Sequence, residues 1–180
     1  MNIQKLLLAS IISLSLPVLA IAAPFGNETD LADAKKVWDA SLDAGFVGKN
    51  ATVSRPYTGM APHGLILELM EKDVTIDGQK GALVIKKNYG GNGLTINDVI
   101  NDPNKYLKTV TIMFKREAGY DEENKNWFYG KYNPDGSLQK NPKDVQLAGR
   151  VAKGAATGCI ACHKAAPGGD FIFNHDRYKE

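Results

Sequence analysis

Three features of the sequence predict an α+β fold, mainly antiparallel β-sheet with an N-terminal helix and a C-terminal helical segment. An early stretch carries apolar residues at helical spacing. From residue 63 to about 132 the pattern switches to short alternating runs. Between those runs lie Asp77-Gly78 and Gly90-Gly91-Asn92-Gly93, which favour tight turns and antiparallel neighbours.

The elements follow in order. Asp30 to Ala44 is predicted as a helix, because Leu31, Ala34, Val37, Trp38, Ser41 and Leu42 share one face; Asp30 is the expected N-cap and Gly45 the stop. Leu65, Leu67 and Leu69 alternate with Ile66, Glu68 and Met70 in a first strand. Gly81 to Tyr89 is a second strand and Lys108 to Arg116 a third. Trp127 to Tyr132 is a fourth, closed by the turn sequence Asn133-Pro134-Asp135-Gly136. Asn101 to Lys105 is predicted as a loop because Pro103 interrupts a helix there. Asn141-Pro142 reads as an N-cap followed by a first-turn proline, opening a short helix through Val145, Leu147, Ala148 and Val151. Phe171-Ile172-Phe173 is an apolar patch expected to pack on the sheet or on a cofactor.

The first residues indicate compartment. Lys5 precedes an apolar run from Leu6 to Ile21 that Ser10, Ser13, Ser15 and Pro17 interrupt, and Ala20-Ile21-Ala22 forms an A-x-A cleavage site. Residues 1–22 are therefore read as a signal peptide, with export to the periplasm, and residues 23–180 as a single domain. Net charge is +2 and no basic run exceeds two residues, so nothing points to nucleic acid.

Both cysteines lie in Cys159-Ile160-Ala161-Cys162-His163. C-x-x-C-H is the attachment site of a c-type haem: the thiolates add to the haem vinyl groups and the adjacent histidine ligates iron. Using both cysteines this way leaves no structural disulfide. A redox dithiol would need no histidine, and a half zinc site would need two more ligands, for which only His63 and His175 remain as nitrogen donors.

Beyond this motif, the chain resembles the cytochrome P-460 family and its relative cytochrome c′-β. The resemblance is carried by Gly81-Ala82-Leu83-Val84-Ile85-Lys86-Lys87-Asn88-Tyr89, Val110 to Lys115, Asn126 to Tyr129 with Lys131 to Gly136, and Gly158 to Lys164 through Phe171-Ile172-Phe173, in family order. It implies an antiparallel sheet packed with helices and a five-coordinate haem c with His163 as proximal ligand. Active members oxidise hydroxylamine to nitrogen oxides and pass electrons to a soluble acceptor cytochrome; the c′-β members bind nitric oxide without that turnover. A homodimer is also implied. In active members a strand lysine is bonded to a haem meso carbon, and the G-x-x-x-x-K match places it at Lys86.

Read from the residues alone, Ala82, Val84, Lys86 and Asn88 share one strand face, and Leu83, Ile85, Lys87 and Tyr89 share the other. Periodicity leaves open which lysine faces the haem. Some active members place a carboxylate over the iron to handle protons. Here Thr111 and Met113 stand on the third strand, no carboxylate follows until Glu117, and Glu68 is the remaining candidate. His63, in Ala61-Pro62-His63-Gly64, is a candidate distal acid/base or sixth ligand. Met60, Met70 and Met113 are further candidate ligands, with core packing as their ordinary role. Such ligation would define an electron-transfer cytochrome; an open apolar pocket would define a gas binder. His175 reads as a solvated tail residue.

Overall fold

The computed structural model describes residues 25–173. The signal-peptide expectation for residues 1–22 and His175 lie outside the described residues. The α+β prediction holds: a helix packs on an antiparallel sheet of six strands whose spatial order is their order in the chain.

Helix α1 spans Glu28–Asp43. Its N-cap is Asn27 rather than Asp30, because Asp30 sits three residues on and closes a reciprocal capping box with Asn27. Short β1 (Tyr57–Thr58) pairs with β2 (Ile66–Ile76). A two-residue turn at Asp77-Gly78, both at positive φ, leads into β3 (Gln79–Tyr89). These strands run further than the sequence pattern suggests.

Helices α2 (Ile96–Asn101) and α3 (Pro103–Tyr106) follow. The loop expected at Asn101–Lys105 is thus largely helical: Pro103 occupies the first helical turn, where its missing N–H costs nothing, and Asp102 caps Lys105. Strand β4 (Leu107–Lys115) and β5 (Trp127–Tyr132) complete the central sheet, joined through a 3₁₀ turn at Glu122–Asn124.

The helix expected from Asn141 to Val151 does not form. The Asn141 side chain accepts the backbone N–H groups of Lys143 and Val145, which turns the chain instead of capping a helix. Leu147 then bonds to Gln139 and Lys131, and Ala148–Gly149 forms edge strand β6 against β5. Helix α4 (Cys159–His163) ends the fold.

Both faces of the sheet are buried. On one, Leu83, Ile85, Val110, Ile112, Phe114 and Phe128 pack against Ala34 and Val37 of α1. On the other, Leu69, Val84, Met113, Trp127 and Tyr129 pack against Val151, Ile160 and Phe171. The α4 segment covers this second face, and the candidate site lies there.

Candidate functional site

Strand register assembles the site. Leu69, Lys86, Thr111 and Lys131 are successive cross-strand partners and form one row on the α4 face. The next row is Glu71, Val84, Met113 and Tyr129. The pleat therefore resolves the two lysines: Lys86 faces α4, and Lys87 faces the α1 core.

On α4, the Cys159 and Cys162 thiols are free and one helical turn apart. Gly158 precedes them at φ 117°, and a Cβ there would meet the Ala152 Cβ at 2.4 Å, so the turn into the motif requires glycine. Burial pushes the Cys159 thiol pKa up. His163 is buried, and its Nδ1 lies 2.6 Å from the Phe171 carbonyl. A carbonyl only accepts, so Nδ1 carries the proton and Nε2 presents its lone pair. Burial pushes the His163 pKa down, against the pull of that carbonyl. The segment supplying the carbonyl is itself held, since Trp127 Nε1 donates to Asp170 O at 2.9 Å.

His63 arrives from a turn that abuts β3. A Cβ at the following Gly64 would stand 2.7 Å from the Tyr89 carbonyl, so glycine permits that approach. The His63 Nδ1 lies 3.0 Å from Asn88 Oδ1. Asn88 Nδ2 donates to the carbonyls of Lys86 and Thr109 at 3.0 and 3.1 Å, which orients the amide and makes Oδ1 the acceptor. His63 is therefore protonated on Nδ1, again leaving Nε2 with a lone pair. Burial, then the positive charge of Lys86, pushes its pKa down to about 4, so the ring is neutral at neutral pH.

The His63 and His163 ring centroids are 6.3 Å apart. Tyr129 and Phe173 flank His163 at 5.5 and 5.4 Å. Lys86 Nζ lies 3.5 Å from the Phe173 carbonyl. Thus Lys86, His63 and His163 come together, beside Cys159 and Cys162.

Glu68 does not join them. It is fully buried on the α1 side, where it accepts from the Tyr89 hydroxyl and the Ser54 backbone and lies 3.5 Å from Lys87 Nζ. Burial lowers the Lys87 pKa, with Glu68 opposing. Glu117 pairs with Arg116. Met60 is exposed, Met70 shares the pleat of Glu68, and Met113 packs in the α4-side core.

Two site residues escaped the sequence reading. Asn88 had one available signal: a buried-face amide two positions after Lys86, in a strand where asparagine is uncommon. Tyr129 had none beyond its aromatic strand.

The residues fit a haem. A thiol pair on one helical turn, a buried imidazole with Nε2 available, and an apolar sheet face meet c-type requirements. The Tyr129 hydroxyl is buried without a hydrogen-bond partner beside His163, as an incomplete site leaves it. Among the described residues no cluster of three His, Cys, Asp or Glu is arranged for a bare metal ion.

Such a site on such a sheet is that of a β-rich haem-binding cytochrome. The cytochrome P460 family model matches residues 67–174, more than half of the chain, and the chain belongs to the cytochrome P460 family. The match includes Lys86 and Cys159–His163 and begins after His63. No curated protein and no solved structure matches the chain.

Proposed function

We propose that this protein is a periplasmic mono-haem c-type cytochrome that oxidises hydroxylamine to nitrogen oxides and passes the electrons to a soluble acceptor cytochrome. The observation that carries the reading is the convergence of Lys86 and a neutral His63 on the sheet face that holds Cys159, Cys162 and His163. Cys159 and Cys162 would hold the haem through thioether bonds, and His163, its Nδ1 fixed by the Phe171 carbonyl, would offer Nε2 to the iron. When bound, the haem supplies the iron through which electrons leave the substrate.

Each oxidation level of hydroxylamine also releases protons, and a group at the site must take them. His63 has the required form, a neutral ring with Nδ1–H fixed by Asn88 and Nε2 unprotonated. It does the work that a distal carboxylate does in some relatives. Lys86 stands on the strand to which the family resemblance assigns the haem cross-link, and a bond from its Nζ to the macrocycle edge would fix the ring against the sheet. The Thr111 hydroxyl donates to the Lys86 carbonyl at 3.3 Å and steadies that strand position.

A second reading, capture of nitric oxide without turnover, draws on the row Leu69, Lys86, Thr111 and Lys131, which contains no carboxylate. Steady-state oxidation of hydroxylamine by purified holoprotein, with an acceptor cytochrome, separates the two. Turnover supports the enzyme; tight nitric oxide binding with no turnover rejects it. Mass spectrometry of a tryptic digest adds the covalent test: a haem peptide containing both Cys159–His163 and the Lys86 segment is expected.

A further inference from the structure

We propose that the Tyr129 hydroxyl and the Lys131 ammonium, neighbours on β5, together hold a propionate carboxylate of the haem. This rests on the reading of Cys159, Cys162 and His163 as the haem site and adds the polar anchor of the ring.

The first support is an unspent donor. Tyr129 is 3% exposed, and its ring lies 5.5 Å from that of His163. Its hydroxyl is buried with no hydrogen-bond partner among the described residues. Native chains rarely leave a buried hydroxyl in that state, because the lost hydration is then not repaid. The carboxylates whose charge reaches it, Asp121 and Asp170, are already committed to Lys153 and Lys115. The acceptor for Tyr129 therefore comes from outside the chain.

The second support is an unspent charge. Lys131 is half-buried and stands in the row with Lys86 and Thr111 that faces α4. The other lysines on this side have acceptors: Lys115 has Asp170, Lys153 has Asp121, Lys164 has Glu123, and Lys86 has the Phe173 carbonyl. Among the described residues the Lys131 ammonium has neither an ion pair nor a hydrogen bond. Its charge reaches both His63 and Cys159, so it belongs to the site.

The third support is complementarity. Two residues apart on one strand, the side chains leave β5 on the same face, with Cα atoms about 7 Å apart. A phenol without an acceptor and an ammonium are both donors, one in the core and one at its rim. Their complement is an anion with two accepting oxygens. A haem carries two carboxylates, and the row that faces it supplies two lysines and no carboxylate. With Lys86 bonded to the macrocycle, Lys131 is the ammonium left in that row. A small free oxyanion has the same chemistry as a propionate, and the test separates the two sources.

Resonance Raman spectra of the ferric holoprotein test the proposal, because the propionate bending band shifts with hydrogen bonding to the carboxylate. The band should move from its wild-type position in Tyr129→Phe and in Lys131→Met, variants that keep the shape of each side chain. It should stay in place in Lys115→Met, whose lysine belongs to Asp170. A band unmoved in either Tyr129→Phe or Lys131→Met, or moved equally in Lys115→Met, overturns the proposal. Nitrite titration of the same samples reads the other source. Its affinity should match wild type in both variants, whereas a loss of about tenfold or more with an unmoved band assigns the donors to a small anion and overturns the proposal. Intact-mass analysis keeps the two readings apart: absence of haem on Cys159 and Cys162 of the wild type defeats the site itself, whereas attached haem with an unmoved band defeats only the pairing with Tyr129 and Lys131.

Discussion

Lys86 and Lys87 are adjacent on β3, and the pleat sends one to the α4 face and the other to the α1 core. Lys87 is matched there by Glu68, a pair almost wholly removed from water. Replacing one member leaves the other charge uncompensated, so Glu68→Gln is expected to lower stability by about 3–5 kcal/mol in urea unfolding. Its haem spectrum should stay that of the wild type; a changed spectrum would put Glu68 back at the iron. His63 yields a pH prediction. Its pKa is 6.5 in the ordinary state and about 4 in the fold, so the folded protein binds fewer protons than the unfolded chain between those values. The stability due to its neutral ring is complete above pH 6.5 and is lost as pH falls toward 4, a change of roughly 3 kcal/mol. Unfolding midpoints measured over that range should fall less steeply in His63→Gln than in wild type. For Lys86, replacement by Arg should leave haem on the two cysteines and remove any haem adduct of the β3 peptide from the digest.

At the scale of elements, α1 depends on its first turn. Asn27→Ala removes the side-chain acceptor for the Asp30 N–H and should cost about 1 kcal/mol, read as a lower thermal midpoint. The β6 edge is more demanding. Gly149 sits at φ 94°, and a Cβ there would stand 2.3 Å from Asp30 Oδ1, so Gly149→Ala strains the backbone and drives α1 from the sheet edge. A larger loss than for Asn27→Ala is expected in the same thermal measurement; an equal or smaller loss would show that the contact relaxes freely. The sequence failed where side chains compete with backbone. Asn141 and Pro142 carry helix-start chemistry, but the Asn141 carboxamide takes two N–H groups of its own loop and makes a turn. At Pro103 the failure ran the other way, since a proline that ends one helix is well placed to begin the next.

Across the molecule, the proximal half of the site was legible from spacing, whereas Lys86 and His63 opposite it could be named only as candidates, for a geometric reason. Cys159, Cys162 and His163 are nearly contiguous, so their spacing alone carries the chemistry. His63 reaches Asn88 across 25 residues and Thr111 across 48, and only strand register brings them together. The same register decided which lysine faces the haem side, which a period of two cannot do for a strand buried on both faces. The uncrossed order of the strands bears on how the chain folds. Each strand pairs with the one made just before it, so every step of sheet assembly closes a short loop and none waits for the C-terminus. The segment bearing Cys159–His163 comes last and lies on a sheet that is already complete. The sheet is therefore expected to form without the cofactor and to serve as its template. In a Cys159→Ser, Cys162→Ser double variant, the amides of β2 to β5 should keep slow hydrogen exchange while those of α4 lose it.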